Sequence, residues 1–144
     1  MKPITKKGYI TVRDCHRQDE GEEKKFTESR NICEFLVYPD RYEIKYIESA
    51  SVMGDCYTTL TVLPSRVSML RGGLYRTSMI FEKGIRHVCA YQTEYGAMSL
   101  GILTKTLKID IGASGGLINM VYSIDNNGRF FSESELIINV ETED

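Results

Sequence analysis

The chain has 144 residues, 42% hydrophobic and 26% charged, with 18 basic against 20 acidic residues and no tryptophan. These proportions predict one globular domain over residues 1–144, large enough to bury a core, and exclude a disordered chain or a multidomain enzyme. A net charge of −2 and a pI near 5.8 lack the basic footprint of a dedicated nucleic-acid binder, so no nucleic-acid partner is expected.

The amino terminus, Met1-Lys2-Pro3-Ile4-Thr5-Lys6-Lys7-Gly8, is basic but has no apolar stretch behind it, and no segment approaches the ~18 apolar residues of a membrane span. A cytoplasmic protein with no membrane partner is expected. Cys15, Cys33, Cys56 and Cys89 are spread through a mid-sized chain, which favours free thiols, packed as small apolar residues, over a disulfide framework.

Hydrophobic residues recur at period two along nearly the whole chain, the signature of half-buried strands. Ile10, Val12 and Asp14 mark a first strand, and the stretch Phe26 to Tyr38 a second. The charged segment Arg17 to Lys25 between them reads as a hairpin tip rather than a helical turn, because Gly21 interrupts it and it has no apolar stripe. Further strands follow at Tyr42, Ile44, Tyr46 and Glu48, at Thr58, Leu60 and Val62, at Val67, Met69 and Arg71, and at Tyr75, Thr77, Met79 and Phe81. From Ile85 the odd positions Ile85, His87, Cys89, Tyr91, Thr93 and Tyr95 form the inward face. The last runs are Met98, Leu100, Ile102 and Thr104, then Ile118, Met120, Tyr122 and Ile124, then Leu136, Ile138 and Val140.

Turn residues punctuate these runs at Pro39-Asp40, Met53-Gly54-Asp55, Arg71-Gly72-Gly73, Lys83-Gly84, Tyr95-Gly96 and Asn126-Asn127-Gly128, while Gly112 to Gly116 reads as a looser loop. Beyond Leu103 the apolar set slips in parity to Leu107, Ile109 and Ile111, as a β-bulge produces, with Gly101 as the enabling residue. About ten short strands in a meander must dispose of two sheet edges, and closure abolishes them. The fold class expected is therefore all-β: a single antiparallel up-and-down barrel of about eight to ten strands.

The ordered series Tyr46-Ile47-Glu48, Thr58-Thr59-Leu60-Thr61-Val62, Met69-Leu70-Arg71-Gly72-Gly73, Phe81 with Lys83-Gly84, Tyr91-Gln92-Thr93-Glu94-Tyr95-Gly96, Leu100, Thr104, and Ile118 with Tyr122 resembles the YwiB-like bacterial family over roughly residues 8 to 141. That resemblance implies a small calycin-like barrel, related in shape to lipocalins and fatty-acid-binding proteins, in a family of unknown function. The chain lacks the Gly-x-Trp of lipocalins, and its last strand reads Arg129-Phe130-Phe131-Ser132 where fatty-acid binders carry Arg-x-Tyr. Neither of those ligand classes is implied.

Alternation points Tyr46, Glu48, Thr58, Arg71, Tyr91, Thr93, Tyr95, Thr104 and Tyr122 inward, more hydroxyl and charge than a packing core needs. Either these groups satisfy one another or they line a wet cavity for a ligand. In the first version Arg71 pairs with Glu48 or a turn carbonyl and pins the barrel mouth. In the second its guanidinium holds the anionic head of a small amphiphile whose apolar body lies against Met79, Tyr91 and Tyr95. A third version fills the barrel and works through its outer surface, as a homodimer or interaction module using Ile80, Leu70 or Ile137.

No cofactor is expected. His87 and Cys89 share a strand face and Cys15 neighbours His16, but too few ligands accompany them for zinc. Enzymatic activity would fall to Glu48 as a base or to Cys89 beside His87, and no catalytic motif supports it. The Gly-rich segments precede no helix that would receive a phosphate.

Overall fold

A computed structural model describes residues 2–18, 21–48, 56–73 and 76–143, the side chain of Thr93 excepted. Ten strands follow one another: β1 (Ile4–Arg17), β2 (Thr27–Val37), β3 (Tyr42–Glu48), β4 (Cys56–Val62), β5 (Val67–Gly72), β6 (Thr77–Phe81), β7 (Arg86–Thr93), β8 (Gly96–Gly112), β9 (Gly115–Asn126) and β10 (Arg129–Thr142). Each pairs antiparallel with its neighbours in sequence, and β1 also pairs with β10 from Gly8↔Thr142 to Arg17↔Glu133, closing the barrel. The expected turns at Met53-Gly54-Asp55 and the strand position Tyr75 lie outside the described residues.

Closure turns the period-two pattern into an inside and an outside. At one end the inside is solid: Ile10, Phe35, Ile44, Leu60, Val62, Val67, Phe81, Ile118, Met120, Ile138 and Val140 are buried essentially completely. Phe35 stacks on Tyr42 with ring centroids 5.6 Å apart, and Phe81 meets the edge of Tyr122 at 4.9 Å. These rings seal that end of the barrel.

Two bulges retune the alternation. One lies between Thr104 and Thr106 on β8, where the parity slip after Leu103 places it. The other, between Phe130 and Ser132 on β10, has no counterpart in the sequence pattern. Gly101 lies away from the bulge and leaves room for a side chain that crosses over it. Arg86 on β7 crosses over it to reach Asp125 on β9 at 2.9 and 2.5 Å, and a Cβ at Gly101 would lie within 2.5 Å of the guanidinium. The Arg86 bonds, with the Gly128 amide, hold the Asp125 carboxyl down at about 2.

The connection between β8 and β9 is tight rather than loose, since only Ala113 and Ser114 separate the strands. Gly115 and Gly116 make this reversal possible by adopting φ of +103° and +147°. A methyl at Gly116 would also lie 2.0 Å from the Asp110 carbonyl oxygen, whereas Gly112 has open space around it. Gly116→Ala should therefore destabilise the barrel by about 2–3 kcal/mol, and Gly112→Ala by much less. Urea unfolding monitored by circular dichroism checks the contrast, and equal midpoints for the two variants would contradict it.

Candidate functional site

Above the sealed end the lumen opens into a cavity of about 880 Å³. One inward row crosses the barrel at this boundary, its members paired strand to strand: Cys33, Tyr46, Thr58, Arg71, Thr77, Tyr91 and Met98. The next row along the axis contains Ile44, Leu60, Met69 and Met79, of which Ile44 and Leu60 belong to the packed core.

Tyr46, Glu48, Arg71, Met79, Tyr91 and Tyr122, six of the ten residues expected to form a site, line this cavity. Thr58 and Thr104 point inward but sit in the packed wall, 1% and 0% exposed, facing Tyr46 and Tyr122 across their ladders. Thr58 comes near enough to the Tyr46 phenol to favour its ionised form, yet neither threonine hydroxyl makes a hydrogen bond of regular geometry. Tyr95 does not line the lumen. It is 92% exposed in the β7–β8 turn, where the chain reverses before Gly96 and strand alternation no longer sets direction. Ile85, also expected inward, is 47% exposed for the same reason at the start of β7. The Thr93 side chain lies outside the described residues.

Arg71 Nη2 donates to Glu48 Oε2 at 3.3 Å, and both side chains also face the cavity. Arg71 is thus paired with Glu48, the first arrangement expected for it, and its side chain also borders the cavity. The His87 imidazole bonds Glu82 at 3.0 Å. Among the described residues no group of three or more His, Cys, Asp and Glu gathers.

A second polar wall comes from the chain's two ends. Ser134 on β10 lies between its register partners Tyr122 and His16, and its hydroxyl is 2.5 Å from His16 Nδ1. The other imidazole nitrogen is 3.6 Å from Asp14 Oδ2, and the Thr27 hydroxyl donates to the other Asp14 oxygen. His16, Asp14 and Tyr122 face the cavity, while Ser134 is only 2% exposed beneath them. On the outer side, Arg17–Glu133, Lys24–Glu135 and Arg13 over the Phe26 ring tie down the β1–β2 hairpin. This connection is the hairpin expected there, and its Glu22 reaches the cavity rim.

Between the polar walls lie Val12, Met69, Cys89, Met98, Leu100 and Leu136. Burial, with the Glu48 carboxylate adding to it, pushes the Tyr46 phenol up to about 12, and burial with the Asp14 charge does the same to Tyr122. Burial raises the Cys33 thiol to about 11, and it also raises that of Cys89.

These phenols hold their protons more tightly in the fold than in the open chain, where tyrosine titrates near 10. Their contribution is therefore complete below pH 10 and is lost as pH climbs toward 12, on the order of 2 kcal/mol per phenol. Ultraviolet titration should show two of the nine tyrosines ionising late, with the urea midpoint falling over the same interval. In Tyr46→Phe/Tyr122→Phe that decline should shrink, and a decline of unchanged size would contradict the assignment.

The family model described as "Domain of unknown function (DUF1934)" matches residues 10–138. The crystal structure of the YwiB protein from Bacillus subtilis superposes with a TM-score of 0.85 at 17% identity, covering 99% of this chain and 96% of that one. At that identity the likeness shows the barrel fold and nothing of activity. No curated relative matches the chain.

Proposed function

We propose, for a chain that belongs to the DUF1934 family, that the barrel binds a small amphipathic molecule in its lumen and performs no chemistry on it. The observation that carries this reading is the cavity of about 880 Å³, a size typical of ligand sites, placed where a sealed apolar floor meets a few polar side chains. Arg71 receives the polar head, anionic in the simplest version, because its guanidinium carries five N–H donors and its contacts with Glu48 and Cys56 leave others for an oxyanion. Met69, Met79, Leu100 and Leu136 cover the apolar body. A cytoplasmic setting accords with four cysteines that are all free.

A second reading, a homodimer or interaction module, draws on exposed apolar groups on the outer face of the barrel. Leu70 is 57% exposed, as expected, whereas Ile80 and Ile137 are half-buried; Ile32, Ile47 and Tyr57 extend the exposed set around β2 to β4. A mass of twice 16.4 kDa in sedimentation would favour it.

Calorimetry with decyl sulfate and decanol tests the lumenal reading. Both should bind one per chain, and Arg71→Leu should weaken the sulfate by about 10-fold or more, the worth of one charge-assisted hydrogen bond, leaving decanol unchanged. Failure of both probes to bind the wild-type chain would overturn the proposal, and equal sulfate binding by Arg71→Leu would remove Arg71 from it.

A further inference from the structure

Four consecutive strands each supply one sulfur-bearing side chain to the cavity: Met69 from β5, Met79 from β6, Cys89 from β7 and Met98 from β8. Met69 and Met79 are direct register partners. Thr77 pairs with Tyr91 across the β6–β7 seam, and Met79 and Cys89, one on each side of that seam, both face the cavity. Tyr91 pairs with Met98, which places Met98 diagonally across from Cys89. Same-face cross-strand neighbours hold their Cβ atoms about 5 Å apart, and diagonal ones about 7 Å apart. Met69 and Met98, three strands apart at about 4.8 Å per step, approach a common point through the inward curvature of the closed barrel and the length of their unbranched thioethers.

In the row that begins with Ile44 and Leu60 in the sealed part of the barrel, the next two members, Met69 and Met79, line the cavity. Cys89 is 7% exposed and Met69 8%, so the wall is largely dry, while Met79 and Met98 reach the open side. Three neutral thioethers and one thiol form a donor set that is soft throughout. Zinc favours thiolate, imidazole and carboxylate, and calcium and magnesium require oxygen. Soft thioether and thiolate donors select copper(I).

We infer that Met69, Met79, Cys89 and Met98 form a binding site for a soft monovalent cation of the copper(I) class. Binding forms a metal–sulfur bond at Cys89 as its S–H bond breaks and the proton passes to solvent. The bound thiolate balances the single positive charge, and the metal enters and remains in the +1 state. This site shares the lumen with the proposed amphiphile but does not depend on it.

Silver(I), a redox-inert surrogate, is titrated into protein carrying methyl-labelled methionine, with resonances assigned from single Met→Leu variants. The methyl signals of Met69, Met79 and Met98 should shift together and saturate at one equivalent. Met120, fully buried in the sealed end, should not move and reports an intact fold. Cys89→Ser should weaken binding at least tenfold with the Met120 signal unchanged, and copper(I) under reducing, oxygen-free conditions should reproduce the wild-type shifts. Silver held elsewhere, at Cys56 for example, would leave the three methyls in place and overturn the proposal, as would undiminished binding by Cys89→Ser. Decanol in the same spectra separates the two readings: if it moves the three methyls and silver does not, the metal site falls while the lumenal site stands.

Discussion

The ladder between β1 and β10 is the constraint on which everything else rests. It joins the two ends of the chain through ten register pairs, from Gly8↔Thr142 to Arg17↔Glu133, and removes both edges of a sheet that would otherwise present unpaired backbone groups. It also gives each strand a defined interior face, so that alternation sorts side chains between lumen and solvent. Without it Asp14 and His16 would sit on an edge strand, far from Ser134 and Tyr122.

The lumen is divided along its axis by side-chain size and polarity. Phe35, Phe81 and a set of branched aliphatics occupy one end. Tyr122 forms the transition, its ring against Phe81 and its hydroxyl toward Ser134. Past that level the inward positions become tyrosine, arginine, methionine and cysteine, which leave space and carry polar or polarisable groups. Two polar poles result, Arg71–Glu48 on one wall and Asp14–His16 on another. The charges of both Asp14 and Arg71 reach the buried Tyr122 phenol between them.

Much of this was legible in the sequence, because a closed meander expresses its inside and outside directly as period two. Tyr46, Arg71, Met79, Tyr91 and Tyr122 follow from alternation alone. Alternation misled where it was carried past the end of a strand, as at Tyr95, and it does not distinguish a wall position such as Thr58 or Thr104 from one that meets open space. The Asp14–His16–Ser134 wall had no signal at all: His16 and Ser134 are 118 positions apart and meet only through closure. The sulfur wall was visible as scattered methionines, but only the order of β5 to β8 around the barrel places them along one side of the cavity. Gly101 looked like a bulge residue, yet its role depends on an arginine from one adjacent strand reaching an aspartate on the other.

Whether the open half of the lumen holds a ligand or is unfilled space decides the proposed function. Native mass spectrometry of freshly purified protein, repeated after organic extraction and refolding, tests this most directly. A lumenal ligand should appear as a species heavier than 16.4 kDa by one small molecule per chain, which extraction removes and which returns when the extract is added back. A bare chain at every stage, with the extract causing no mass shift, would contradict it.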